Sequence, residues 1–90
     1  MVLCEVYYPK RPSVACSVTV RDTDNQPTSL EIQRDFVAHR DGKTWLPIGV
    51  VYRDKEKGSA LIEFPVEANS RAHRIWVPLT SLRAPNPGAE

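Results

Sequence analysis

The groups in this chain that could do covalent chemistry are the thiols Cys4 and Cys16 and the imidazoles His39 and His73. A cysteine nucleophile needs an imidazole to take its proton. Only the fold could bring Cys16 to His73, or Cys4 to His39, because neither pair is close in sequence. Both thiols fall on the apolar side of alternating segments, where desolvation raises a thiol pKa and leaves it inert. No serine sits in a nucleophile elbow, and no glycine-rich loop could cradle a phosphate. Neither histidine has an Asp, Cys or Glu at metal-ligand spacing, and two cysteines without matching histidines do not make a zinc site. The expectation is a protein that is not an enzyme, with no cofactor and no metal.

Non-covalent chemistry is better represented. In "HRIWVPLTSLR" (73–83) the indole of Trp76 alternates with Ile75 and Val77. If those two face a core, Trp76 faces outward. It then either packs beneath residues 2–20 or stands exposed as an anchor for a partner, a role in which Trp is enriched. Arg71, Arg74 and Arg83 gather around the same segment. With Trp76 they could hold RNA or single-stranded DNA by stacking and phosphate contacts; balanced by Glu63 and Glu67, they could equally form an ordinary solvated face. The whole chain of 90 residues carries twelve Lys and Arg against eleven Asp and Glu, a net charge of +1. That balance leaves no footprint for duplex DNA or an anionic membrane.

The elements that would position these groups have a period of two. Val2, Cys4, Val6 and Tyr8 point one way in "VLCEVYY", and Val14, Cys16, Val18 and Val20 share a face in "SVACSVTVR". The prolines of "PKRPS" turn the chain between them, which predicts an N-terminal hairpin over 2–21. With Tyr8 facing Val14, the cysteines are diagonal neighbours; a two-residue slip would oppose them at near-disulfide distance. Reduced core residues are the expectation in a cytoplasmic protein, with a disulfide as the alternative. "RDTDNQPTS" (21–29) reads as a loop and as a boundary between this hairpin and the rest. "LEIQRDFVAHR" reads as extended, with Phe36 and Ala38 on one face and Val37 on the other. Asp41-Gly42 predicts a two-residue type I′ turn. "KTWLPIGVVYRD" is the next strand, with Pro47 placing it at an edge or a bulge. "KEKG" (55–58) is a charged turn. "SALIEF" puts Ala60, Ile62 and Phe64 on one face. A loop over 65–73 leads to the strand "RIWVP" and a 3₁₀ turn in "LTSL", and 85–90 reads as a disordered tail.

Five or six short antiparallel strands and no long helix make an all-β barrel or sandwich. Ninety residues suffice for one domain, here 1–84, with a hairpin at 2–21 and a core at 30–84. No apolar run approaches the roughly 20 residues of a membrane span, and no secretory signal precedes the first strand, so a cytoplasmic location is expected.

The hairpin "HRDGKTWLPIGVV", the turn and strand "YRDKEKGSALIEF" and the ending "RIWVPLTSLR" together resemble the Tudor and SH3-like small-barrel superfamily over residues 36–83. The resemblance implies an SH3-like (Tudor-like) barrel that binds peptides, often through an aromatic cage around a methylated cation. By position, Trp45 and Phe64 match two cage walls. The first-strand wall falls at Ala38 and the loop wall near Glu67 or Asn69, none of them aromatic.

The sequence thus reads as a non-enzymatic binding or adaptor module that recognises a peptide or protein through Trp45, Tyr52, Phe64 and Trp76, with loop 65–73 as the rim. A nucleic-acid-associated barrel using Arg71, Arg74 and Arg83 is the second reading. A self-associating structural protein, whose N-terminal hairpin pairs with another copy, is the third.

Overall fold

A computed structural model of the chain describes residues 1–10 and 15–83. The expected positions of Val14 and of the 85–90 tail lie outside the described residues. The strands are β1 (Val2–Tyr7), β2 (Ala15–Arg21), β3 (Pro27–Gln33), β4 (Ala38–Arg40), β5 (Lys43–Leu46), β6 (Gly49–Asp54), β7 (Ser59–Glu63) and β8 (Arg74–Pro78). Two 3₁₀ turns, Arg34–Phe36 and Leu79–Ser81, accompany them. The fold is all-β and every pairing is antiparallel. One sheet has the order β3-β2-β1-β5-β4 and the other β6-β7-β8.

Six expected strands become eight because two are broken. The segment 30–40 is interrupted by the turn at Arg34–Phe36. The segment 43–54 breaks at Pro47, which has no N–H to give a ladder, and the chain passes there from the first sheet into the second.

Alternation places the core. Val2, Cys4, Cys16, Val18, Val20, Leu30, Ile32, Leu46, Ile62 and Val77 are buried together, joined by Phe64, Val37 and Ala68. Asp41 and Gly42 both have positive φ, 54° and 74°, as a type I′ turn between Arg40 and Lys43 requires.

Cys4 and Cys16 are free thiols, the reduced form expected of them. Two expectations are corrected. Val6 faces Val18 and Tyr7 faces Ser17, a register two residues away from the one that sets Tyr8 against Val14. Residues 21–29 are not a boundary: β2 and β3 pair over seven positions, from Ala15↔Gln33 to Arg21↔Pro27. The connecting turn is short because the Asp22 carboxylate accepts the N–H groups of Asp24 and Gln26, both at 2.8 Å, and Asn25 takes φ 59°. β1 lies between β2 and β5, pairing with the first through Glu5–Tyr7 and with the second through Val2–Cys4, and β2 lies between β1 and β3.

The two sheets are tied at their margins. Thr23 N–H donates to the Trp76 carbonyl at 3.0 Å and Asn69 N–H to the Ser29 carbonyl at 2.8 Å. At the other end Val2 bridges Leu82, and Met1 and Arg83 exchange backbone hydrogen bonds at 2.6 and 2.8 Å.

Candidate functional site

Register sets the outer face of the β6-β7-β8 sheet. Ala60, Ile62 and Val77 point into the core, so their neighbours point away from it. Tyr52 pairs with Leu61 and Leu61 with Trp76, giving one row across three strands. The Tyr52 and Trp76 rings meet above Leu61, edge to face, at 6.2 Å and 80°. That geometry suits the quadrupoles of both rings. Trp76 stays 40% exposed and Tyr52 58% exposed. The described residues of the N-terminal hairpin therefore leave the indole partly open. An ion pair, Arg74 to Glu63 at 3.2 Å, borders the row. Leu61 is a member that sequence reading missed, although the parity that buried Ala60 and Ile62 assigns it to this face.

Trp45 and Phe64 lie elsewhere, which corrects the four-ring surface. Trp45 shares a row with Leu3 and Ala38 on the outer side of the larger sheet. It is nonetheless only 7% exposed. Its indole N–H donates to the Arg40 carbonyl at 3.4 Å, and the Arg83 guanidinium lies 5.7 Å from its ring centroid. Phe64 is 5% exposed, within the core. Two of the four rings are structural, and no cage forms between them and the exposed pair.

The three arginines do not converge. Arg74 begins β8, beside Glu63, whereas Arg83 follows the 3₁₀ turn beyond the opposite end of that strand. Arg83 also pairs with Asp41. Arg71 sits in loop 65–73 with φ 70°, its N–H donating to the Ala68 carbonyl. That loop is anchored by Ala68, which is buried. The Arg83 guanidinium, by hydrogen bond and by charge, holds the Asp41 carboxyl below the usual carboxylate range. The contact is therefore intact above the ordinary Asp pKa and is lost as pH falls through the depressed one. In Arg83→Gln, Asp41 is expected to titrate at a higher pH than in the wild type, read from its side-chain carbon by NMR. An unchanged titration would disprove the pairing.

The thiols are placed as the alternation required. Burial, then the charge of Cys16 and of Glu5, pushes Cys4 up to about 12, and burial also raises Cys16. His39 lies 3.4 Å from the Tyr8 hydroxyl and His73 lies 3.4 Å from Glu67. Among the described residues, no group of His, Cys, Asp and Glu is arranged to hold a metal ion, and no helix is long and apolar enough to cross a membrane.

A second apolar region surrounds Phe36, which is 43% exposed. With Ile32, Pro65 and Val66 it lines an open groove of about 480 Å³. No family model, no curated protein and no solved structure matches this chain.

Proposed function

We propose that this protein is a non-enzymatic binding module that recognises a peptide or protein partner through the Tyr52–Leu61–Trp76 face. The observation that carries the reading is the exposed ring pair held edge to face on the outer side of the sheet. Trp and Tyr dominate interface energetics because they offer large area with few rotatable bonds. Here both rings are pre-ordered, so little freedom is lost on binding. We read the architecture as an SH3-like, Tudor-like small barrel. The bend between β5 and β6 at Pro47, the 3₁₀ turn at Leu79–Ser81 and the Val2–Leu82 bridge support it. The free thiols suit a reducing, cytoplasmic setting.

The test is selection of peptides from a displayed random library, followed by affinity measurement against wild type and variants. Trp76→Ala is expected to weaken selected peptides at least about tenfold, with its thermal midpoint close to wild type. Binding should change little with added salt, unlike a phosphate-driven contact. Peptides that bind Trp76→Ala and Tyr52→Ala as tightly as wild type would overturn the assignment.

A further inference from the structure

We propose that Asp41 is a site of succinimide-mediated isomerisation, to a β-linked isoaspartate, that a clasp from Arg83 holds in check in the folded chain. The site is the turn between β4 and β5, in the other sheet from the proposed recognition face. Asp41 and Gly42 are adjacent and both exposed, the Asp41 side chain to 73%. Apart from the chain neighbours, nothing among the described residues lies within 4 Å of where a Gly42 Cβ would stand. The Gly42 amide nitrogen therefore has no side chain beside it to hinder attack.

The reaction needs no oxidant and no co-reactant but water. The Gly42 nitrogen attacks Asp41 Cγ and an N–Cγ bond forms. The Cγ–OH bond breaks, and the hydroxyl leaves as water with the amide proton. Water then adds to one of the two ring carbonyls. Opening at Cγ restores aspartate. Opening at the Asp41 backbone carbonyl leaves that carbon as a free carboxylate. The chain then runs through Cβ and Cγ, one methylene longer.

The fold opposes ring closure in two ways. A type I′ turn holds ψ of its first central residue at about 30°. That sets Asp41 Cβ roughly opposite the Gly42 nitrogen about the Cα–C bond, whereas the five-membered ring needs the two eclipsed. Arg83 also donates from Nη1 to Asp41 Oδ2. Its hydrogen bond and charge, with the charges of Arg40 and Lys43, favour the ionised carboxylate. The neutral carboxyl is the form that loses water. The clasp is itself anchored, since Arg83 N–H donates to the Met1 carbonyl at 2.8 Å and its guanidinium lies 5.7 Å from the Trp45 ring centroid. Trp45 in turn donates its indole N–H to the Arg40 carbonyl at 3.4 Å, at the start of the same turn. Once formed, the longer β-linked residue does not fit a two-residue turn. The pairs Arg40↔Lys43 and His39↔Thr44 lose their register.

The full chain is aged in warm, mildly acidic buffer, then unfolded and digested with an endoprotease that cuts before aspartate but not before isoaspartate. Loss of the cut at Asp41 measures the isomer. Enzymatic methylation of the isoaspartyl carboxylate counts it independently, and Asp41→Glu, whose ring would be six-membered, should accept no methyl group at this position. Folded wild type is expected to isomerise more slowly than wild type held in urea. Arg83→Gln should isomerise about two- to fivefold faster than folded wild type, the range set by an exposed ion pair. Arg83→Lys, which keeps the charge, should fall between them. Ile62→Val weakens the core beneath the other sheet and leaves the clasp intact, so it separates local release from global opening and should match wild type. No isomer at Asp41 even in urea, equal rates for folded and unfolded wild type, Arg83→Gln no faster than wild type, or Ile62→Val as fast as Arg83→Gln would each overturn the inference.

Discussion

Truncating Trp45 to alanine is expected to destabilise the fold by about 3–5 kcal/mol, the range for removing a buried large aromatic side chain. The indole is 7% exposed and packs in the row Leu3–Trp45–Ala38, so its removal leaves a void between β1, β4 and β5. The loss extends beyond its own volume. Arg83 lies over the ring and pairs with Asp41, while its backbone bonds to Met1. Removing the ring therefore loosens the contact by which the end of the described chain closes on its beginning. For a domain of this size each kcal/mol shifts the midpoint by roughly 4–8 °C. Denaturant titration gives the free energy directly. Trp45→Phe, which keeps most of the apolar volume but lacks the N–H to Arg40, should lose clearly less. A Trp45→Ala variant within about 1 kcal/mol of wild type would refute the structural role. The contrast with Trp76→Ala is the informative part: two tryptophans, one expected to cost stability and the other affinity.

That contrast also shows where sequence reading works. The faces of β1, β2 and β7 were legible because each side chain's direction follows from the period of two. Val2, Cys4, Cys16, Val18, Val20, Ala60, Ile62 and Phe64 are all buried. The Asp41-Gly42 turn was legible because positive φ at two successive positions restricts residue choice. The outward direction of Trp76 followed from Ile75 and Val77 in the same way. What covers an outward ring is a different matter. Trp45 is sealed by Arg83 and Trp76 is left open, and nothing local distinguishes them. That difference depends on which strand lies alongside and where the chain returns.

Register and sheet membership were illegible for a related reason. The pairing of β1 with β2 can slip by two residues without moving any side chain to the wrong face. Its actual value sets Val6 opposite Val18, and the alternation of the two segments does not select it. Pro47 announced an interruption, but not that the chain would cross from one sheet to the other there. The consequence for function is direct. The crossing separates Trp45 from Tyr52, so residues that looked like one aromatic surface belong to two sheets. The proposed recognition face lies instead within β6, β7 and β8 alone.

The protein is expected to lose stability steeply between pH 9 and 12, with Cys4 as a principal cause. The folded state pushes the Cys4 thiol up to about 12 from an ordinary value of 9, through burial first and the charges of Cys16 and Glu5 second. The protonated thiol is the form the fold accommodates. Its contribution is complete below the unfolded pKa and is lost as pH rises through the folded one. Three units would correspond to about 4 kcal/mol at most. Cys4 keeps 8% of its surface exposed, and solvent reaching it screens a thiolate in part, so about 2–3 kcal/mol is the expected loss. A variant without the thiol isolates its part. Cys4→Ala removes the titrating group at the cost of a small cavity, lowering stability near neutrality yet flattening the alkaline limb. Denaturant midpoints measured from pH 7 to 12 for both proteins should converge as pH rises. Parallel curves would show that Cys4 has no part in the alkaline transition.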